Sequence, residues 1–357
     1  MKLPNGKIPV DLLREVVFKN LGVERSEVVL GPSAGIDGAV IEVGNRSLIV
    51  SMDPITGALE RIGWLAVNVN ANDVATFGVE PALLFSCILL PEGADSKIVE
   101  TICVQMNKAA KELGIAIAGG HCEVTRGLNS PIVIGCTVGI AEKGKYVTAA
   151  GAREGDKLIL TKSAGIEGTA ILASDRGELL TRALGSETVQ EANKLFNQTS
   201  VVEDAITAFK TGGVNAMHDP TEGGIVGGIY EMTDASNLGV RVFEERIPVR
   251  PETANVCRFF KISPLCLVSS GALLIAAKPE AVEGITENLE QKGIQASIIG
   301  DFVKNLEDRT LVGKHGKVRP LPRPVSDHLW LALSRSLGTG QAGLLAKREN
   351  PRGFALG

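Results

Sequence analysis

Five short segments set a carboxylate among small residues or turn formers: GIDGA around Asp37, SMD ending at Asp53, NANDVATFG around Asp73, GGHCE ending at Glu123, and HDPTEGG around Asp219. Carboxylates dispersed in this way suit a cation shared with substrate phosphates, because Mg²⁺ takes octahedral oxygen ligands from a few carboxylates and from the phosphates themselves. The set carries this reading, since each segment alone has a plainer one. Asp73 could ligate a metal and Asn72 bond a phosphate or backbone, or both could cap a helix. Asp53 closes an apolar strand, where α/β proteins place ligand groups. GPSAGID, with Gly35 and Asp37, has the glycines, hydroxyl and terminal carboxylate of a phosphate-covering loop. It lacks the lysine of a Walker A motif, and a plain turn would look similar.

GGHCEVT follows the strand-like IAIA directly. Neighbours in an extended chain point to opposite faces, so His121, Cys122 and Glu123 do not easily meet one ion. Glu123, flanked by Gly119 and Gly120, fits a Mg²⁺ or phosphate site better than zinc. Cys122 has no lysine, arginine or helix start placed to lower its pKa. In HDPTEGG, Asp219 and Thr221 precede a Gly-rich helix start, where free amides favour an anion. Thr221 reads equally as an N-cap, and His218 either as a general base near neutral pH or as a structural hydrogen-bonder. SAGIEGTA (163–170) and PLCLVSSGALL (264–274) are further Gly-bearing turns that either bind substrate or simply turn.

The elements that must position these residues read as two successive α/β modules. VVL, AVIEV and SLIVSMD form strands of a hairpin, and a helix runs from about Ile62 to Phe77 with Gly78 as its stop. ALLFSCILL reads as a buried strand, and 96–113 as an amphipathic helix with Ile98, Ile102, Met106 and Ala109 on one face. IAIAGGHCEV and PIVIGCTVGIAE supply two more strands. After the polar stretch 149–156 the pattern restarts with DKLILT, helices near 166–173, 201–212, 224–235 and 279–292, and the strands VNAM, VRVFEE, GALLIAAKP, ASIIGDF and KVRPLP. The expected domains are 1–148 and 149–324, followed by a partly flexible tail, 325–357.

A chain of 357 residues with 44% hydrophobic and 22% charged residues is a soluble globular protein with room for two cores. The net charge of −4 and the lack of a basic run argue against nucleic acid as partner. The N-terminus has no signal-peptide pattern and no stretch is long enough to span a membrane, so a cytoplasmic location is expected. The six cysteines contain no CxxC pair.

In order along the chain, LPNGKIP, GPSAGID, SMD, NANDVATFGVEP, GGHCEVT, AMHDPTEGG and PLCLVSSGALL resemble the superfamily of aminoimidazole ribonucleotide (AIR) synthase, and the last two look most like its HypE branch. Hydrogenase maturation factor HypE, selenophosphate synthetase and thiamine-monophosphate kinase are other members. The resemblance implies a two-domain α/β (α+β) fold whose N-terminal domain dimerises through its sheet into a β-barrel-like core, with a C-terminal α/β domain packed over it. It implies ATP and Mg²⁺ in the cleft, with Asp37, Asp53 and Asp73 as metal and phosphate carboxylates and Asn72 supporting them. Glu123 and Asp219 fall in the family's remaining site loops. The implied chemistry is phosphorylation of a poorly reactive, amide-type oxygen on a small or carrier-bound substrate, which depends on positioning and charge neutralisation more than on a nucleophile. Two other readings stand beside it: a nucleotide-binding partner in hydrogenase maturation, and a small-molecule kinase. The chain departs from HypE in ending GFALG, where HypE carries its carbamoyl-accepting cysteine, so the HypE reaction on its own tail is unavailable as the sequence stands. It also lacks a second acid beside Asp37 and has Cys122 where relatives have Thr.

Overall fold

The computed structural model describes residue 3 and residues 6–334. A short helical turn, α1 (Val10–Leu12), leads into the first sheet. The alternating segments form β1 (Val28–Leu30), β2 (Ala39–Val43) and β3 (Arg46–Ile55). Gly44 and Asn45 turn the β2–β3 hairpin between the paired residues Val43 and Arg46, with Gly44 at φ +60°. This is the left-handed geometry that two-residue hairpin turns require. Helix α2 (Ile62–Ala75) follows, then β4 (Pro81–Leu90), α3 (Ser96–Leu113), β5 (Ala116–Val124) and β6 (Ile132–Glu142). Asp95 caps α3 by accepting from the Lys97 N–H at 2.8 Å. The six strands lie in the order β1-β2-β3-β6-β4-β5, antiparallel except for the β4–β5 pair.

The second sheet contains β7 (Lys157–Thr161), β8 (Val214–His218), β9 (Gly239–Phe243), β10 (Leu274–Ala277), β11 (Ala296–Val303), β12 (Arg309–Val312) and β13 (Val318–Pro320). Their order is β13-β12-β9-β11-β7-β10-β8. Packed on it are α4 (Ile166–Asp175), α5 (Gly177–Leu184), α6 (Ser186–Lys194), α7 (Val202–Thr211), α8 (Gly224–Ser236), α9 (Pro251–Phe260) and α10 (Val282–Gln291). A last helix, α11 (His328–Ser334), begins inside the segment expected to be flexible, yet Leu329 and Ala332 are buried on it. The rest of that expected tail, 335–357, lies outside the described residues. Among the described residues no helix is long and apolar enough to cross a membrane.

One reading of burial needs correcting. Strand β4, expected to be buried, is covered on one face only, with Phe85 exposed. Strand β5 is exposed at all nine positions, because it is the sheet's outer edge. The helix that covers the other face of the sheet is α2, and all fourteen of its residues are buried. One side of α2 lies on β3 and β6; Asn70 reaches to within 2.4 Å of where a Cβ at Gly135 would stand, so that position has no room for a side chain.

The other side of α2 meets the second half of the chain. Trp64 donates from Nε1 to the Phe196 carbonyl at 3.1 Å. Asn72 donates from Nδ2 to the Thr199 carbonyl at 2.8 Å and accepts the Val201 N–H on Oδ1 at 2.8 Å. Asn72 is fully buried and so braces the two halves, using its amide on backbone, the second of its two expected roles, in place of a phosphate. Replacing Asn72 with Ala strands a buried carbonyl and a buried N–H, which should cost about 2–3 kcal/mol. Urea unfolding of the N72A protein should show the midpoint falling without a change in secondary structure before the transition.

Candidate active site

The site forms where β3, the end of α2 and the C-terminal end of β8 converge. Ser51 and Asp53 point from β3 towards α2, and Asp73 comes from its last turn. Ser51 Oγ lies 2.6 Å from Asp73 Oδ2 and 2.8 Å from the Asp37 carbonyl oxygen. The Ser51 hydroxyl is the donor, with both oxygens within its reach. Burial, then repulsion from Asp219, Asp53 and Asp37, holds the Asp73 pKa well above the carboxylate range, and the Ser51 hydrogen bond opposes them. Asn70, which the sequence reading passed over, clasps Asp53 by its backbone: its Oδ1 accepts the Asp53 N–H at 2.7 Å and its Nδ2 donates to the Asp53 carbonyl at 3.2 Å. Burial raises the Asp53 pKa, with Lys7 opposing and Asp37 adding to it.

Gly35 lets the loop before Asp37 reach the second sheet's helices. It sits at φ +74°, and a Cβ there would stand 2.6 Å from the Glu231 carbonyl oxygen on α8. Asp37 Oδ2 lies 2.7 Å from His218 Nδ1, and His218 Nε2 lies 2.7 Å from Glu231 Oε2. Burial works against a charged imidazole, but Asp37 and Glu231 outweigh it and raise the His218 pKa to about 10. Burial likewise opposes Glu231, yet Lys7 and His218 carry its pKa down to about 2. His218 is therefore a clamped imidazolium with both ring nitrogens engaged, which corrects its reading as a general base. Glu231 was invisible in the sequence because it lies thirteen residues on from His218 in an ordinary helical run.

Asp219 differs from its neighbours. Its side chain is buried and both carboxylate oxygens lack a hydrogen-bond partner. Burial, then repulsion from Asp37, raises its pKa to about 7 despite His218 and Lys7. Ligand atoms of Asp37, His218 and Asp219 lie within 4.8 Å of one another. With both His218 nitrogens taken, the available donors are carboxylate oxygens, the hard set that Mg²⁺ takes. The orphaned oxygens of Asp219 fit such an ion, since an unpaired buried carboxylate is otherwise costly.

Other expected site residues stand apart. Thr221 does not cap α8: Gly223 occupies the N-cap in a left-handed conformation, and its N–H is taken by Asp327 Oδ2 at 2.7 Å. Gly119, Gly120 and Glu123 lie on exposed β5. Asp53, Gly135, Ser86 and Gly120 form one row across four strands, which places Gly120 about 14 Å from Asp53 at ordinary strand spacing. Glu123 bonds instead to His121 at 3.1 Å and Thr125 at 2.7 Å. Within one chain these three residues are outside the carboxylate cluster.

Comparison with known proteins agrees with the two-sheet design. Residues 35–141 match the family model of the AIR synthase related protein N-terminal domain, and residues 153–312 that of its C-terminal domain. The chain belongs to the AIR synthase-related family. It is 31% identical over 330 residues to a Methanocaldococcus jannaschii protein named for hydrogenase expression and formation, covering 90% of this chain and 96% of that one. It is also 31% identical over 278 residues to the carbamoyl dehydratase HypE of Bradyrhizobium diazoefficiens, covering 75% and 78%. A solved structure of HypE in complex with ATP superposes with a TM-score of 0.67 at 21% identity over 92% of this chain and 98% of that one, a likeness of fold. The AIR synthase-related family is one of enzymes, and this chain has its two-domain fold.

The cluster sets a sign for the pH dependence of metal-free stability. Asp219, with a folded pKa of about 7 against an ordinary 3.8, destabilises the fold above pH 7 and is relieved as pH falls. The contribution of His218 is complete below its ordinary 6.5 and is lost as pH rises through about 10. In chelator, the melting temperature should therefore fall as pH rises from about 4 to 7 through Asp219, and further from about 6.5 to 10 through His218. Calorimetry should show that Asp219→Asn or added Mg²⁺ flattens the part of the slope below pH 7; equal slopes there in all three samples would refute the assignment of the cluster.

Proposed function

We propose that this chain is a homodimeric, Mg²⁺-dependent enzyme that binds ATP and phosphorylates, and so activates, an amide-like oxygen of its substrate. One observation carries the reading: Asp219 has two buried, unpartnered oxygens beside Asp37, Asp53 and Asp73. That arrangement asks for a multivalent cation, and a cation among carboxylates is how the phosphates of a nucleotide are held without a Walker A lysine. The carbamoyl dehydratase name of its HypE relatives and the ATP complex of a structural neighbour support the nucleotide and the amide-like substrate.

In this reading, Asp37, Asp53, Asp73 and Asp219 would hold Mg²⁺, which when bound neutralises phosphate charge and polarises the transferred phosphoryl group. Ser51 and Thr76 orient the acids: Thr76 Oγ1 donates to the Asp73 carbonyl at 2.7 Å and lies 3.3 Å from Asp37 Oδ2. His218 and Glu231 fix Asp37 from the other side. The one buried cysteine near the second-domain loop, Cys266, is 5% exposed and offers no reachable carrier thiol. A separate substrate, small or carrier-borne, therefore suits the geometry better than a cysteine of this region.

The homodimer rests on the uncovered sheet face. Met52, Cys136 and Phe85 align across β3, β6 and β4, and Met52 and Phe85 are 63% and 41% exposed. Beside them runs the bare edge of β5. An open apolar face ending in a strand paired on one side only is a surface for pairing with a second copy.

Two measurements test the proposal. Phosphate release from ATP should require Mg²⁺ and fall at least ~10²-fold in Asp219→Asn and Asp73→Asn; variants as active as the parent would exclude the cluster from catalysis. Light scattering should find a dimer that Phe85→Lys converts to monomer with an unchanged circular dichroism spectrum.

A further inference from the structure

The carboxylate cluster takes no residue from the turn SAGIEGTA (163–170), yet that turn begins in the lining of a cavity of about 690 Å³, a volume typical of small-molecule sites. Lys162 and Ser163 line it just past the end of β7, and Gln295 lines it just before β11. Gln198 and Arg250 complete its polar lining. Leu160, Leu274 and His218 share one row across β7, β10 and β8. The cavity therefore lies at the same end of the sheet as the carboxylate cluster, but two strand spacings, about 10 Å, to one side of it. The carboxyl ends of such strands are where α/β sheets place ligands.

The backbone at this point is held in a costly shape. Lys162 sits at φ +54°, a left-handed conformation that residues with a Cβ seldom adopt. Its N–H donates to the Gln295 carbonyl at 2.7 Å, and its Nζ donates to the Ser200 carbonyl at 2.7 Å, to Asp204 Oδ2 at 2.9 Å and to the Gly271 carbonyl at 2.9 Å. An ammonium has three donors, so Lys162 is spent on the protein and contributes only fixed charge. Its neighbour Ser163 is 3% exposed, and the Ser163 Oγ has no hydrogen-bond partner. Strained backbone and a stranded buried hydroxyl side by side are features that functional sites retain.

Arg250 is the cation with capacity left. Its Nε donates to Glu252 Oε1 at 2.6 Å and its Nη1 reaches Gln198 Oε1 at 3.5 Å, while Nη2 has no partner among the described residues. A guanidinium carries five donors in a fixed fork, so its outer edge stays open to a bidentate acceptor. Both charged side chains in the lining are cationic, because Asp204 and Glu252, which pair with them, stand outside it. Helix α9 starts in the lining at Pro251 with no side chain capping it, which adds partial charge of the same sign. Pro248 and Val249 supply apolar surface beside these donors. We infer that this cavity is a second binding site of the chain, for a small organic anion whose carboxylate or phosphate takes the outer edge of Arg250 and whose apolar body lies on Pro248 and Val249. The site needs neither metal nor nucleotide, and so goes beyond the reaction proposed above.

Ligand-observed NMR titrations of the full chain in chelator test this, with phenyl phosphate, benzoate and the neutral benzamide as probes. At least one of the two anions should bind, and the tighter of them tells whether the site is built for phosphate or for carboxylate; benzamide should bind at least ~10-fold more weakly, since it forgoes the charge-assisted bond. Arg250→Gln should bring the tighter anion down to the level of benzamide. Gln295→Trp keeps every charge and fills the cavity from an exposed position, so it should abolish binding of all three probes while leaving the circular dichroism spectrum unchanged. Benzamide binding as tightly as the anions, undiminished affinity in either variant, or no binding of either anion would each overturn the assignment.

Discussion

The whole molecule depends on a helix that has no face left for water. Every residue of α2 is buried, so each polar group on it must find a partner inside the protein. Asn68 turns back on its own helix and donates to the Trp64 carbonyl at 2.9 Å. Asn70 holds the β3 backbone at Asp53, Asn72 holds the segment 199–201, and Asp73 meets Ser51. Sheet, second domain and site are therefore indexed to one rigid rod. A shift of α2 would misplace all three together, which explains how catalytic-grade positioning can arise from residues contributed by β3, α2 and β8.

Charge is the second organising constraint. Several carboxyls share a low-dielectric cleft, where like charges are expensive and cannot all ionise together. The fold answers in three ways: the Ser51 hydroxyl set against Asp73, an imidazole sandwiched at His218, and the Lys7 ammonium over Glu231. Asp219 receives none of these directly. A further group of raised carboxyls extends from the cluster into the second domain. Glu167 is raised to about 7 by burial, with Ser270 opposing and Asp327 adding. Asp327 is raised to about 6 by burial against the backbone donors it accepts.

The sequence exposes local order better than it exposes contacts. The hairpin of β2 and β3, the amphipathic α3 and the acidic segments around Asp37, Asp53, Asp73 and Asp219 all carry short-range signals, and the folded chain brings those four acids into one cleft. Burial was harder to read: ALLFSCILL is apolar enough for a core strand, yet one face of it is left open, since apolar content alone does not say which neighbour covers it. His218 was recognisable, but which of its two roles it takes was not, because Asp37 and Glu231 are set against it only by tertiary folding. Glu123 was drawn in by its glycines and then separated from the cluster by the width of three strand spacings. Helices α6 and α9 and strand β12 gave no motif and were passed over.

Strand β5 has one more consequence. It pairs with β4 on one side and leaves its other side open along the outer edge, next to an apolar face that no helix among the described residues covers. If a second copy covers that face, the free energy of the sheet gains a term that depends on how much protein is present, and dilution acts on it as a mild denaturant does.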